Sequence, residues 1–479
     1  MTAIGAGGGK LTRMTGTAPD TASRSSGAGL DPGALRPWNV VAIALSAISP
    51  TTSVFLVYGS GLEASGRGVV WAFAIAGVIA LAMACCYAEV GSVFPSAGGA
   101  YAIVRGALGP VAGGTTAVLF MVLGLVSTAS ILVAAATYVA ALVPGGLSTG
   151  AVGAVAFGFM VLVTALSVGR ISPASWVAAA MLALEIAVVV VFTVMAFADP
   201  APVTTTAGPG SPVAGGGPDG GVLTVAALLA GVAPALFAFN GYDWPLYFAE
   251  ETPPARRRAL PRAVLLSAAV AVVLEVAAVV AATGAIGDLG ATAAEDSPLA
   301  AVARTVMGPV GSAVLLVGVV VAMVDTGLAA NLGYARVYYA AARDGMLPGP
   351  AGRFLGRLSP RSRVPVPAFA VLLVGNGLLC LLSSLDELIT FTSVVIVVVY
   401  LLVATSALVT RVRRRRSGDP AAPDAGFRMP LWPVPPVIAI VGAVLALVEQ
   451  SAVDLVVALG LAALALVGFL LARRRLPAA

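Results

Sequence analysis

AISPTTSVF, residues 47–55, and FAFNGYDWPLYFAEET, residues 237–252, decide how this chain is read. Both set Pro, Gly, Asn or Asp in the middle of stretches otherwise apolar enough to span a bilayer. Inside lipid a freed backbone group finds no water, so a broken helix survives only where protein groups or a cavity satisfy it. Two breaks of this kind point to helices interrupted at a site.

The composition supplies the surroundings of these breaks. Of 479 residues, 59% are hydrophobic and 10% charged, and the mean hydropathy is +1.00. A soluble domain carries about a quarter charged residues, so this is an integral membrane protein. Its apolar runs are long and continuous rather than short and alternating, which makes the fold all-α. Twelve transmembrane helices are expected, at 38–60, 68–88, 112–143, 151–168, 172–198, 222–248, 261–286, 309–340, 366–384, 387–409, 431–448 and 452–472.

Charge placement gives an independent reading of the count, because Lys and Arg collect in cytoplasmic connections. Arg170 falls in the fourth connection, Arg256, Arg257, Arg258 and Arg262 in the sixth, and Arg343, Arg353, Arg357, Arg361 and Arg363 in or near the eighth. Arg411 and Arg413 to Arg416 fill the tenth, and Arg473 to Arg475 come near the end of the chain. The odd connections hold Glu63, Asp199, Asp219, Asp288, Glu295, Asp296, Asp386 and Glu387, with only Arg67 and Arg304 opposing them. Both termini are therefore expected in the cytoplasm.

The net charge of +5 follows from orientation and from attraction to anionic lipid heads, and no nucleic-acid partner is expected. Residues 1–36, rich in Gly, Ser, Thr and Ala, read as a disordered cytoplasmic tail. Cys85, Cys86 and Cys380 all fall within spans, and the chain has no His. No disulfide framework, metal site or cofactor is expected.

At the first break, Pro50 lacks an N–H and disfavours helical geometry at Ser49. The half-helix that follows would open with the amides of Thr51, Thr52 and Ser53, the positive end of a helix dipole suited to a carboxylate. At the second, Phe239-Asn240-Gly241-Tyr242-Asp243 interrupts the sixth span, with Gly241 free to end a helix. Breaks in the first and sixth spans are what an inverted repeat of five plus five helices produces, with a ligand site between them at mid-membrane. The substrate-binding candidates are Ser49, Thr51, Thr52, Ser53, Phe239, Asn240, Gly241 and Asp243. Phe237, Tyr242 and Trp244 are candidates for covering, or gating, a bound ligand.

Glu185, Asp243, Glu275 and Asp325 lie within spans, where no Lys or Arg pairs with them. Each is then protonated, hydrogen-bonded to freed backbone groups or matched by a bound cation, and such acids mark ion pathways. Asp243, Asp325 and Glu185 are the candidates for coupling. An interior rich in acids and free of bases favours a ligand bearing an ammonium group.

With these residues in view, the chain from Trp38 to Arg475 resembles the amino acid–polyamine–organocation permease superfamily. YAEVGSVFPSAGGAY at 87–101 is similar to the stretch after that family's second helix. FAFNGYDWPLYFAEET with PPARRRALPRA is similar to its sixth helix and following loop, and ARVYYAAARDGMLP at 335–348 to the end of its eighth. The resemblance implies residues 37–200 and 201–410 as the two repeats, and 411–479 as two further helices and a cytoplasmic C-terminus. It also implies a secondary carrier in the inner or plasma membrane, working by alternating access and usually driven by protons. The implied cargo is an amino acid; alternatives are import of a polyamine or cationic amine, and exchange of an amino acid for an amine. On this likeness the amides at Thr51 to Ser53 take a substrate carboxylate, the carbonyls around Phe239 to Gly241 take its amino group, Phe237 gates, and Asp243 senses protons. Glu89, Arg336, Arg343 and Asp344 are expected in ion pairs that hold the cytoplasmic side shut, and Gly98 and Gly99 in close helix packing. Oligomeric state leaves no trace in the sequence.

Overall fold

In a computed structural model of the chain, the described residues are 37–168, 174–200, 223–295, 297–347, 349–360, 362–417 and 426–448, with isolated positions at 456, 457, 460, 463, 466 and 467. The expected tail, most of the twelfth span, Arg170, Asp219, Asp296, Arg361 and Arg473 to Arg475 lie outside them. No strand occurs among the described residues.

The helices, in chain order, are α1 (Pro37–Ile48), α2 (Pro50–Ser65), α3 (Val69–Val93), α4 (Gly99–Leu108), α5 (Pro110–Leu142), α6 (Thr149–Ser167), α7 (Ala174–Ala198) and α8 (Val225–Ala238). They continue with α9 (Trp244–Tyr247), α10 (Leu260–Gly284), α11 (Leu289–Ala293), α12 (Pro298–Arg343), α13 (Gly349–Leu355), α14 (Val366–Leu382), α15 (Leu385–Ser417) and α16 (Val434–Val448). Among the described residues, seven helices are long and apolar enough to cross a membrane, and α8, α14 and α16 are shorter apolar ones.

Local chemistry sets many of the boundaries. Ser148 and Thr224 cap α6 and α8 by accepting from the amides of Ala151 and Ala227, and Pro110 opens α5 at a position whose N–H a helix does not use. α12 is longer than the expected span from 309. It starts at Pro298 and bends at Gly308, whose φ of 70° only glycine adopts readily, so a helical stretch precedes the membrane-depth part.

α5 runs through the middle of the bundle, packed on α4, α6, α12, α14 and α15. α3 lies against α8, α10 and α16, and α2 against α8. The segments α1–α2 and α8–α9 are thereby held face to face, each interrupted where the sequence placed its Pro or Gly.

Candidate functional site

The first interruption is one residue wide. Ser49 takes φ 46° and ψ 82° between α1 and α2, a left-handed geometry uncommon for a residue with a side chain. Its hydroxyl repairs the gap that Pro50 opens by accepting from the Thr52 amide at 3.1 Å and donating to Thr52 Oγ1 at 2.6 Å. The Ser53 amide donates to the Ser49 carbonyl at 2.8 Å. Two of the three amides expected to face a carboxylate are thus occupied by Ser49 here.

The second interruption is a run of turns from Phe239 to Asp243. The Asn240 amide donates to the Phe237 carbonyl and that of Trp244 to the Gly241 carbonyl, both at 3.0 Å. Gly241 has φ 119°, and a Cβ there would lie 2.9 Å from the Ile48 nitrogen and 3.0 Å from the Ala47 carbonyl. The two breaks are therefore in direct contact through a position that admits only glycine. The Ser53 hydroxyl joins them, 2.7 Å from the Ile48 carbonyl and 2.6 Å from that of Ala238.

Beside this junction lies a cavity of about 30 Å³, room for a water or two and not for an amino acid. From the broken segments it receives Thr52, Ser53, Phe237, Asn240 and Trp244, all named from the sequence. It also receives residues that sequence reasoning missed: Ser127 and Ile131 from α5, and Thr326, Ala330 and Tyr334 from α12. No acidic or basic side chain lines it. Leu56, Val57, Ile48 and Ala330 make one side apolar, while Ser127, Thr52, Thr326 and Asn240 supply hydroxyls and an amide. Thr52 and Thr326 meet across it, Oγ1 to Oγ1 at 2.8 Å, and Trp244 is fixed by donating Nε1–H to the Ala329 carbonyl at 3.0 Å.

The remaining candidates face elsewhere. Thr51 points to α7, donating to the Glu185 carbonyl at 2.7 Å. Phe239 packs edge-on against Phe73. Tyr242 turns away from the cavity to meet Tyr87 and Tyr400 at 6.0 Å each. Asp243 is buried at the start of α9, where it accepts from the Tyr247 hydroxyl and leaves Oδ1 without a partner among the described residues. Glu185 and Asp325 are buried but absent from the cavity lining.

The two ends of the bundle differ. On the face carrying the arginine-rich connections, Arg336 grips Glu251 with two bonds of 2.6 and 3.0 Å, the two side chains 1% and 5% exposed. The same guanidinium stacks 4.5 Å over Phe248. Arg343 holds Glu250 at 2.6 and 2.9 Å and Asp344 at 3.0 Å. Burial pushes the Glu250 carboxyl up, but the bonds from Arg343 and from the Ala97 amide outweigh it and hold the group below the ordinary carboxylate range. Glu89, grouped with Arg336 in the sequence reading, instead pairs with Arg411 at 3.0 Å and accepts from the Met429 amide at 2.8 Å.

The 87–101 motif contributes to every layer of this closure. It supplies Glu89, the Ala97 amide, Tyr101, which donates to Asp344 at 3.0 Å, and Gly99, whose φ of 49° places it against the Tyr247 ring with no room for a Cβ.

On the opposite, acidic face a vestibule of about 1030 Å³ is lined in part by Glu63, Thr137, Glu295, Arg304, Asp386 and Glu387. Only Leu56 lines both vestibule and cavity. Beside it, Phe55 packs edge-on against Tyr138 at 5.7 Å, and the Tyr138 hydroxyl donates to the Phe55 carbonyl.

Comparison with known proteins agrees with this architecture. Residues 35–466 match the family described as amino acid permease. The branched-chain amino acid permease BcaP of Lactococcus lactis is 27% identical over 419 residues, 82% of this chain and 84% of the relative. Its namesake in Bacillus subtilis is 27% identical over 406 residues, 81% and 82% of the two chains. An uncharacterised transporter of Mycobacterium tuberculosis is 28% identical over 363 residues, 74% and 75%.

Proposed function

Given that this chain belongs to the amino acid permease family, and so is a multi-pass membrane transporter and not an enzyme, we propose that it carries branched-chain amino acids across the cell membrane by proton symport with alternating access. The observation that supports this most directly is the cavity at the junction of the two breaks. It has backbone dipoles and hydroxyls for a zwitterion's charged groups, aliphatic walls for its side chain, and no charged residue. A polyamine needs fixed carboxylates along its length, and the interior acids stand outside the cavity lining. The names of the two BcaP relatives point to the same cargo.

In this reading the carboxylate takes the Thr52 amide by displacing the Ser49 hydroxyl, and the ammonium lies toward the Ala238 carbonyl and Asn240. Phe237 and Trp244 close over the side chain. Asp243, one turn nearer the arginine-rich face, carries or senses the proton, with Glu185 and Asp325 as further coupling groups. The proposed frame is twelve helices in two inverted repeats of five, residues 37–200 and 201–410, followed by two more, with both termini cytoplasmic. The cavity, too small for cargo as it stands, opens during the cycle.

Uptake into proteoliposomes tests the reading. Labelled leucine should accumulate under an inward proton gradient, collapse on adding a protonophore, and be competed by isoleucine and valine but not by putrescine. Putrescine uptake without leucine uptake would overturn the cargo. Leucine uptake that needs an amine preloaded inside, whatever the gradient, would replace symport with exchange.

A further inference from the structure

Three acids of the bundle interior, Glu185 on α7, Glu275 on α10 and Asp325 on α12, line neither the cavity nor any ion pair. The two glutamates are 0% exposed and Asp325 is 3% exposed. Both carboxyl oxygens of each glutamate, and Oδ2 of Asp325, lack a hydrogen-bond partner among the described residues. Their helices pack together, α7 against α10 and α12, and all three against α1. Leu182 and Ile186, on either side of Glu185, share one apolar cluster with Val270 of α10 and with Ala42 and Leu45 of α1. In this setting Glu185 lies within electrostatic reach of both Asp325 and Glu275.

A separate side chain faces the same place. Ser46 Oγ on α1, 2% exposed and also without a partner, stands beside Asp325, and the Ser49 hydroxyl stands beside Glu185. The nearby cations and phenols are engaged elsewhere. Arg67 bonds the carbonyls of Thr283 and Ile286, Arg336 bonds Glu251, Tyr58 meets Thr283, and Tyr138 bonds the Phe55 carbonyl. Three neighbouring carboxylates in a dry interior with no counter-cation cannot all be ionised, so the group shares protons as one titrating unit.

We propose that Glu185, Glu275 and Asp325 together form a proton-holding unit that responds to the first helix break, which makes Glu275 a coupling residue alongside the other two. The link is covered by two hydrogen bonds. Thr51 donates to the Glu185 carbonyl at 2.7 Å, and Thr52 meets Thr326, the residue after Asp325, at 2.8 Å. Movement of the break when cargo displaces Ser49 therefore shifts both acids. The chemistry is proton transfer alone: a proton from water forms an O–H bond on a carboxylate oxygen and is later returned to water across the membrane. The proposal rests on the reading of the chain as an amino acid carrier.

Full-length wild-type protein, Glu275→Gln and Glu185→Gln are compared in proteoliposomes by two assays, leucine accumulation driven by a proton gradient and leucine counterflow without one. The expected result is a fall of at least about tenfold in gradient-driven accumulation for Glu275→Gln, with counterflow within about threefold of wild type. Gradient-driven accumulation at the wild-type level in both variants overturns the proposal. So does a wild type that performs counterflow but ignores the gradient. Absence of counterflow in the wild type overturns the amino acid reading instead. Should Glu275→Gln lose both activities, infrared difference spectra of the purified chain decide: a pH-dependent carboxylic C=O signal missing from that variant supports the unit, and an unchanged signal overturns it.

Discussion

Replacing Glu251 by Gln tests the closure of the arginine-rich face most sharply. Glu251 gives Arg336 two bonds of 2.6 and 3.0 Å inside an enclosure that leaves the guanidinium side chain 1% exposed, with a further bond to the Leu332 carbonyl at 2.7 Å and the Phe248 ring 4.5 Å away. Taking away one partner of a buried pair costs about 3–5 kcal/mol, because the other charge stays enclosed and uncompensated. The cost falls on conformations that bury Arg336 and not on one in which this face is open and water reaches the guanidinium. At about 1.4 kcal/mol per decade, the variant should move the closed-to-open balance by roughly two to three and a half orders of magnitude. Hydrogen–deuterium exchange on peptides covering residues 248–252 and 332–343 reads this directly. Both should exchange faster in Glu251→Gln, and pairing Glu251→Leu with Arg336→Met should restore most of the protection, since neither charge is then buried. Unchanged exchange in the single variant would refute the reasoning.

Other expectations follow from the same geometry. Gly241→Ala brings a methyl to about 3 Å from the α1 backbone at a φ of 119° and should destabilise the protein by at least about 2 kcal/mol, seen as a lower melting temperature in detergent; a wild-type melting curve would contradict the contact between the breaks. Ser53→Ala leaves the Ile48 and Ala238 carbonyls without their shared donor and should cost about 1–3 kcal/mol by chemical denaturation; no change would show that this hydroxyl does not join the breaks. Glu250 is held below the ordinary carboxylate range in the folded protein, so its contribution is present above its unfolded value and disappears as pH falls through the lower folded one. Exchange of residues 94–101 should therefore stay protected through mildly acid pH and rise only below the ordinary range. Glu250→Gln should flatten that acid limb, and a wild-type pH profile in this variant would remove Glu250 from it.

Some of this arrangement is legible in the sequence because backbone breakage has a local chemical cause. Pro50 and Gly241 announce the two interruptions, and the structure opens its helices beside both. Pro50 does not say which residue bends: Ser49 absorbs the left-handed geometry and then covers the amides it frees, a self-capping choice that depends on the rotamer of one hydroxyl. Direction was harder. Thr51 and Tyr242 sit in the broken segments yet face α7 and the Tyr87–Tyr400 pair, because helical phase after an irregular turn is set by tertiary packing. Ser127, Thr326 and Tyr334 were missed for a related reason. They lie on unbroken helices, where a small polar or aromatic residue at a packing position looks like its neighbours. The adjacency of Thr326 to Asp325 was the available hint. Glu89 shows the same limit for ion pairs, since its true partner, Arg411, is 322 residues away.

Leu56, the single side chain shared by cavity and vestibule, gives the molecule a kinetic lopsidedness. On the vestibule side, admission asks for little beyond a torsional flip of one aliphatic residue and its aromatic neighbours, events on the picosecond to nanosecond scale where residues are free to move. On the other side, discharge requires three sets of charged clasps to part together, a collective motion of microseconds to milliseconds. Loading is then quick and reversible, unloading paces the whole cycle, and turnover should respond far more to changes in the clasps than to changes at the entrance.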